Sequence, residues 1–432
     1  MKVLLISPPN RIKPMLGEYH PYAIPPLGLL YIAAVLESKG FSSRVMDLRF
    51  YGMDHKRLEE MLSQLKPRLV GITSMTSNFP AAEYIAKFVK LRCPQSLVVL
   101  GGVHATFKHR EILAEHPEID IIVRYEGELT MAELADALEN GRSLIEVKGT
   151  SFRVEGRIVS NPDRERIEDL DCLPFPAHHL LDPKIEKYFT YTSPPVLTTR
   201  GCPFSCIYCS TMAFHGRKYR TRSVANVILE LEHLIDHYKV DKISFIDDNF
   251  TMQTGRVFAL CQEIKKRDLA IKWGCNARVD QVNEEILKVM KEAGCRDVFF
   301  GIESVSQRAL DVVKKGYRIR QARDAVKMAE KLGIRTHCSF VLGLPGESKR
   351  TLKRIIQFIE EVKPSGRALP NLLKIFPGTE LSERKEQYFS NQPSIELADL
   401  TKTQLEMYAK FLKINYGTES LYRVDPPNIE IE

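Results

Sequence analysis

Two blocks of alternating strand-like and helix-like segments, divided by a polar, proline-rich stretch from Asn161 to about Pro195, restrict this chain to a small set of α/β architectures. In the first block, short runs rich in Val, Ile and Leu occupy 3–6, 44–47, 69–73, 97–100 and 119–123. Helical patterns fill 27–39, 55–65, 79–92 and 107–115, and another follows at 128–139. Apolar runs of this kind suit strands buried on both faces. A doubly wound parallel sheet is therefore expected, with its ligand crevice beyond the C-terminal ends of the strands. The segments leaving those ends are Ser7-Pro-Pro-Asn10, Ser74-Met-Thr-Ser-Asn78, Gly101-Gly-Val-His104 and Tyr125-Glu-Gly-Glu128. The runs 150–154 and 157–160, on either side of Glu155-Gly156, predict a hairpin.

In the second block the strand candidates are 196–199, 242–246, 271–276, 297–302, 336–342 and 368–376. Six βα units in about 180 residues predict a partial parallel barrel rather than a full eight-stranded one. The expected division is a doubly wound domain at 1–145, a hairpin and linker at 146–195, a partial barrel at 196–380 and a mainly helical extension at 381–432. Helical signals in that extension centre on 401–415, and its Tyr388, Phe389 and Tyr408 fit ordinary helix packing as well as a lipid or peptide pocket.

A chain of 432 residues is too long for one ordinary core, in keeping with two or three domains. With 44% apolar and 27% charged residues and no low-complexity tract, it reads as a soluble globular protein. No apolar run approaches the ~20 residues that span a bilayer. Met1-Lys-Val-Leu-Leu-Ile6 runs straight into a strand rather than reading as a signal peptide, so a cytoplasmic location is expected. The formal charge of +7 is spread along the chain, as solvated helix faces would spread it, and no specific nucleic-acid partner is expected.

Nine cysteines, an odd count in a large chain, do not suggest a disulfide framework. Cys93, Cys172, Cys261, Cys275, Cys295 and Cys338 are scattered and read as small buried or partly buried residues. Cys202, Cys206 and Cys209 differ. They lie in Arg200-Gly-Cys-Pro-Phe-Ser-Cys-Ile-Tyr-Cys-Ser210, directly after the first strand of the second block, where barrels collect their chemistry. The spacing C-x3-C-x2-C, with no fourth ligand close by, holds three corners of an iron–sulfur cubane and leaves one iron open. A zinc site lacking one ligand is the competing reading.

On these residues the chain resembles the radical S-adenosylmethionine (SAM) superfamily, and within it the subgroup with a cobalamin-binding domain, over residues 1 to about 380. The resemblance implies a [4Fe–4S] cluster on Cys202, Cys206 and Cys209 whose free iron takes the amino and carboxylate groups of SAM, with Tyr208 against the adenine. Asp247 and Asp248 stand where many members carry a Gly-Gly-Glu that binds the SAM ammonium, although acids there also cap helices. Arg278 is expected to pair with the SAM carboxylate or to form a surface salt bridge. Glu303 is expected to meet ribose hydroxyls or the amino group. Gly343, in Val341-Leu-Gly-Leu-Pro-Gly-Glu347, and Phe376, in Phe376-Pro-Gly-Thr379, match the fifth and sixth strand ends, though the glycine motif also reads as a plain turn.

The first block resembles the cobalamin domain of the subgroup. Pro9, Thr73, Ser74, Met75, Gly101, Gly102, His104, Gly127 and Glu128 are the expected cobalamin contacts. Thr73-Ser-Met75 stands in the place of a Ser-x-Leu pattern, and Pro25-Pro-Leu-Gly-Leu-Leu-Tyr31 also belongs to the likeness. The Asp-x-His-x-x-Gly motif that supplies a cobalt-ligating histidine is absent. The dimethylbenzimidazole is therefore expected to be detached, with His20 in Tyr19-His-Pro-Tyr22 as the alternative ligand to a plain loop histidine.

The resemblance implies a methyltransferase acting on an unactivated carbon through a 5′-deoxyadenosyl radical and methylcobalamin. It would draw electrons from a flavodoxin- or ferredoxin-type donor or a reductase. Cyclisation, ring contraction or carbon–carbon coupling without methyl transfer is the enzymatic alternative, and a non-catalytic corrinoid-binding module is the rival from another class. A tRNA methylthiotransferase needs a second three-cysteine set in the first domain, where only Cys93 lies. The substrate is left open among small molecules, lipids and peptides.

Overall fold

The computed structural model describes residues 1–10, 24–184, 186–189, 192–390 and 409–410. His20 and its neighbours, Tyr408 and most of 401–415 lie outside the described residues. The chain divides into two compact units, Met1–Pro195 and Val196–Glu432.

The strands of the first unit are β1 (Lys2–Ser7), β2 (Ser42–Asp47), β3 (Leu69–Thr73), β4 (Leu97–Gly101), β5 (Ile121–Val123), β6 (Thr150–Val154), β7 (Arg157–Ser160) and β8 (Leu181–Asp182). They form one sheet in the order β7-β6-β5-β4-β3-β1-β2-β8. The pairs among β1 to β5 are parallel. Helices Leu27–Ser38, His55–Leu65, Phe79–Arg92, Val103–Glu115 and Glu128–Glu139 alternate with them. Val3, Leu4, Leu5 and Ile6 are all buried, which is why β1 reads as an unbroken apolar run. The run 5-4-3-1-2 is the flavodoxin-like order, with its switch point between β1 and β3.

The segment expected as hairpin and linker is part of this sheet. β6 and β7 extend it antiparallel from β5, and β8 adds a parallel edge on β2. Two-residue β8 gave no periodic signal, because its place is set by pairing Val45 with Leu181 rather than by local pattern.

The second unit contains β9 (Pro195–Val196), β10 (Thr199–Arg200), β11 (Arg220–Thr221), β12 (Lys242–Phe245), β13 (Lys272–Ala277), β14 (Cys295–Glu303), β15 (Arg335–Leu342) and β16 (Ala368–Leu372). Its main sheet runs β16-β15-β14-β13-β12-β9, and the pairs from β12 to β16 are parallel. This is the expected six-stranded partial barrel. Its core holds Trp273, Phe245, Phe250, Phe300 and Phe340, with Cys261, Cys275, Cys295 and Cys338 buried among them. Cys172, read from sequence as at least partly buried, is exposed at the end of the short helix Leu170–Cys172. Among the described residues, no helix is long and apolar enough to cross a membrane.

Candidate functional site

The cysteine loop is rooted by the short antiparallel ladder of β10 and β11, which pairs Thr199 with Thr221 and Arg200 with Arg220. At Gly201 the backbone turns at φ +90°, and a Cβ there would stand 2.2 Å from the Lys218 carbonyl oxygen, so glycine is required. The loop closes as the Cys202 amide donates to the Gly216 carbonyl at 3.3 Å. Its far side is pinned by Ile207. That side chain is buried with Val313, Leu344 and Leu381, its amide donates to Val313 O at 3.2 Å, and its carbonyl accepts from Leu381 N at 2.9 Å. Tyr388 and Phe389 pack against the same cluster, and the Tyr388 hydroxyl donates to Glu380 Oε1 at 2.6 Å.

Cys202, Cys206 and Cys209 are half-buried free thiols on this anchored loop. Burial pushes the Cys202 thiol up to about 11, and it raises Cys209 as well. Without a cation such thiols keep their protons, whereas a bound metal draws them off. Three soft donors on a pinned, half-desolvated loop fit an iron–sulfur cluster.

One strand over, the two acids of the β12 end have separate surroundings. Asp247 is fully buried, and its carboxylate accepts from Thr198 N at 2.8 Å, Thr198 Oγ1 at 2.9 Å and Thr199 Oγ1 at 2.7 Å, and from Thr199 N. Desolvation outweighs these bonds and raises its pKa. This carboxylate ties the root of the cysteine loop to β12, and both oxygens are committed to that task rather than to the ammonium expected from sequence. It also explains why the first strand is split, since the chain bends at Thr198 and Thr199 to reach it. Asp248 has an exposed side chain and accepts from Thr211 Oγ1 at 3.1 Å, in the helix Ser210–His215 that begins directly after Cys209. Of the pair, Asp248 is the one free to meet a ligand cation.

Arg278, at the end of β13, is buried rather than forming a surface salt bridge. It is bidentate to Asp280, at 2.9 and 3.0 Å, and donates to Lys315 O at 2.6 Å. Glu303 closes β14 with φ +65°, an uncommon backbone for a non-glycine residue, beside a register shift between Gly301 and Glu303. Lys315, buried and unanticipated, joins Glu303 Oε1 at 3.0 Å to the Tyr208 hydroxyl at 3.4 Å. Burial, then the Glu303 carboxylate, raises the Tyr208 phenol pKa, so it stays protonated.

The end of β15 is shaped by a second buried acid that sequence did not single out. Glu347 accepts from the Ser304 hydroxyl, from Gly343 N at 2.9 Å and from Leu344 N at 3.2 Å, which clasps the turn in which Gly343 has φ +95°. Burial raises its pKa to about 7. A cavity of about 800 Å³ opens beside Tyr208, Cys209, Val341, Leu373 and Phe376. Tyr208, Glu303, Lys315, Asp248 and the three thiols thus form a chain of neighbours around the cysteine loop, with Phe376 and Tyr208 on the cavity wall.

In the first unit, the ends of β3 and β4 are locked together. Ser74 is buried, its amide and hydroxyl both donate to Gly101 O at 2.7 and 3.1 Å, and His104 N donates to Ser74 O at 3.2 Å. Gly102 has φ +93°, and a Cβ there would lie 2.5 Å from Ser74 O. That glycine is required by the crossing of the two loops, a reason independent of any cofactor. Thr73 is half-buried beside it, and Met75 is 58% exposed. His104 Nδ1 pairs with Thr76 Oγ1 at 3.1 Å, and its ring lies 4.6 Å from that of Phe79. Pro9 and Glu128 are buried, and Gly127 packs against Ile32. All of these residues stand at the C-terminal edge of the parallel strands. An exposed methionine flanked by the exposed Thr76 and Ser77 and by half-buried His104 fits a large, partly apolar cofactor lying over that edge.

A flavodoxin-like unit and a partial barrel with three thiols after its first strand define a class of cofactor-dependent radical enzymes. The B12 binding domain description matches residues 16–135, and the radical SAM superfamily description matches residues 196–359. The chain is 37% identical, over 89% of its own length and 83% of the relative's, to an uncharacterized methyltransferase of Pyrococcus horikoshii. It is 32% identical to an anaerobic magnesium-protoporphyrin IX monomethyl ester cyclase of Rubrivivax gelatinosus, over 79% of this chain and 62% of that protein. Its fold is similar, with TM-score 0.74 and 23% identity over 89% of this chain and 75% of the other, to the radical SAM methyltransferase TsrM of Kitasatospora setae, solved with cobalamin and a [4Fe–4S] cluster. The chain belongs to the radical SAM superfamily, among the members that carry a B12-binding domain, and it is a radical SAM enzyme with methyltransferase relatives.

Proposed function

We propose that this enzyme methylates an unactivated carbon, using a [4Fe–4S] cluster, SAM and cobalamin. The observation that carries the reading is the set of three thiols on a pinned loop, while the other four cysteines of the same unit are packed in its hydrophobic core. Among the described residues of that unit, no further thiol stands outside the core beside the three. When bound, the cluster supplies the electron that cleaves SAM, and the cobalamin carries the methyl group toward the substrate.

Cys202, Cys206 and Cys209 hold the cluster. Asp248 takes the SAM ammonium, and Lys315, an ammonium on a buried stem between Glu303 and Tyr208, takes the carboxylate in place of Arg278. Glu303 keeps an oxygen for the ribose hydroxyls. Tyr208, Gly343 and Phe376 border the adenine, and Asp247 and Glu347 keep the two loops in register. Met75, His104 and Gly127 border the cobalamin. An external one-electron donor of the flavodoxin or ferredoxin type completes the system, in the cytoplasm.

The test is anaerobic reconstitution with iron, sulfide and cobalamin, followed by reduction in the presence of methyl-labelled SAM. Formation of both S-adenosylhomocysteine and 5′-deoxyadenosine is expected. 5′-Deoxyadenosine alone would favour the cyclase-type reading, and a loaded cluster that yields neither product would leave only a corrinoid-binding module.

A further inference from the structure

Arg278 stands closer to the cysteine loop than its expected role required. Its guanidinium carbon lies 3.6 Å from the ring centroid of Phe204, inside the Cys-Pro-Phe-Ser-Cys turn. Its NH1 is directed at Cys206 Sγ from 4.0 Å. Its Nε and NH2 donate to the two oxygens of Asp280 and NH2 also to the Lys315 carbonyl, and the side chain is 7% exposed. A guanidinium stays charged at every physiological pH, and its planar fork stacks on aromatics while it donates in plane. Held this way on both face and edge, it has little freedom to turn toward a ligand.

We propose that Arg278 is a positioning residue for the cluster loop. It braces the Phe204 turn and places a fixed positive charge beside the Cys206 corner, while Asp280 partly cancels that charge. The inference rests on the three cysteines carrying a cluster. Reduction adds one electron to the cluster, so a nearby cation stabilises the reduced form and a nearby anion opposes it. The two residues of the pair therefore have opposite effects, a pattern that a purely structural brace does not produce.

The experiment is a redox titration of the reconstituted full chain, followed by the electron paramagnetic resonance of the reduced cluster, for the wild type, Arg278→Gln and Asp280→Asn. At one poised potential, Arg278→Gln is expected to lower the reduced-to-oxidised ratio about tenfold, equivalent to ~59 mV for a one-electron couple. Asp280→Asn is expected to raise the ratio. SAM affinity, read by equilibrium dialysis, is expected to change less than about threefold in either. Unchanged ratios with full iron content would overturn the proposal. So would a large loss of SAM affinity at an unchanged ratio, which would return Arg278 to the carboxylate. If Arg278→Gln fails to load iron, the direction of the Asp280→Asn shift alone decides. Failure of the wild type to load a cluster would instead refute the underlying reading of the three cysteines.

Discussion

Replacing Asp247 with alanine removes at once the acceptor for two backbone amides and two hydroxyls, those of Thr198 and Thr199. The hydroxyls can rotate toward other acceptors, but the amides cannot. Each amide left buried without a partner costs about 1–3 kcal/mol, or roughly 2–6 kcal/mol for the two. Part of this is returned, because burial already disfavours the ionised carboxylate and raises its pKa. A net loss of about 2–4 kcal/mol is expected for Asp247→Ala. Asp247→Asn keeps one oxygen for three donors and can present its NH2 to Thr198 Oγ1, so it loses only the charge assistance, about 1–2 kcal/mol. The assay is urea unfolding followed by tryptophan fluorescence. The chain has one tryptophan, Trp273, buried in the core of the second unit, so the signal reports that unit. Iron per chain, measured after reconstitution, is expected to fall in the same order as stability. An alanine variant within about 0.5 kcal/mol of the wild type would refute the anchoring argument. Normal stability and iron with weakened SAM binding would restore Asp247 as the ammonium ligand.

Three further outcomes follow from the same geometry. Gly201→Ala places a Cβ 2.2 Å from a carbonyl oxygen at φ +90°, so the loop root must shift and iron bound per chain should drop by more than half, read by iron and sulfide assay. Glu347 binds a proton more tightly in the folded chain, with its pKa raised from 4.5 to about 7. Between those values the folded state keeps a proton that the unfolded state has released, so the unfolding free energy falls with rising pH, by about 3 kcal/mol in all, and is flat above. Glu347→Gln should abolish that slope in Trp273-monitored unfolding at a series of pH values. Lys315→Gln should weaken SAM binding about tenfold, by equilibrium dialysis, at unchanged iron content; an unchanged affinity would remove Lys315 from the carboxylate site.

Much of this enzyme was legible in its sequence because the deciding interactions are local. Three thiols within eight positions can share one centre whatever surrounds them. Apolar runs alternating with helical periods leave few ways to bury both faces of a parallel sheet. Gly102 stood out as well, although only the structure supplied the reason, a crossing strand end, and only the structure showed that Gly201 is required beside a carbonyl.

Partner choice across the sheet was decided elsewhere. Asp247 and Asp248 are adjacent and identical in type, yet in the turn after β12 one is directed into Thr198 and Thr199, 49 and 48 residues away, and the other outward. The partners of Arg278 and of Lys315, which sequence had not singled out, were set in the same way. Lys315 reaches Tyr208 across 107 residues, while Arg278 is claimed by Asp280 two positions on and by the Cys206 turn. Sequence alone determined the kind of centre this chain builds, because thiol spacing and hydrophobic period act over a few residues. Tertiary structure decided which charges face it, because strand register brings together groups that no local pattern relates.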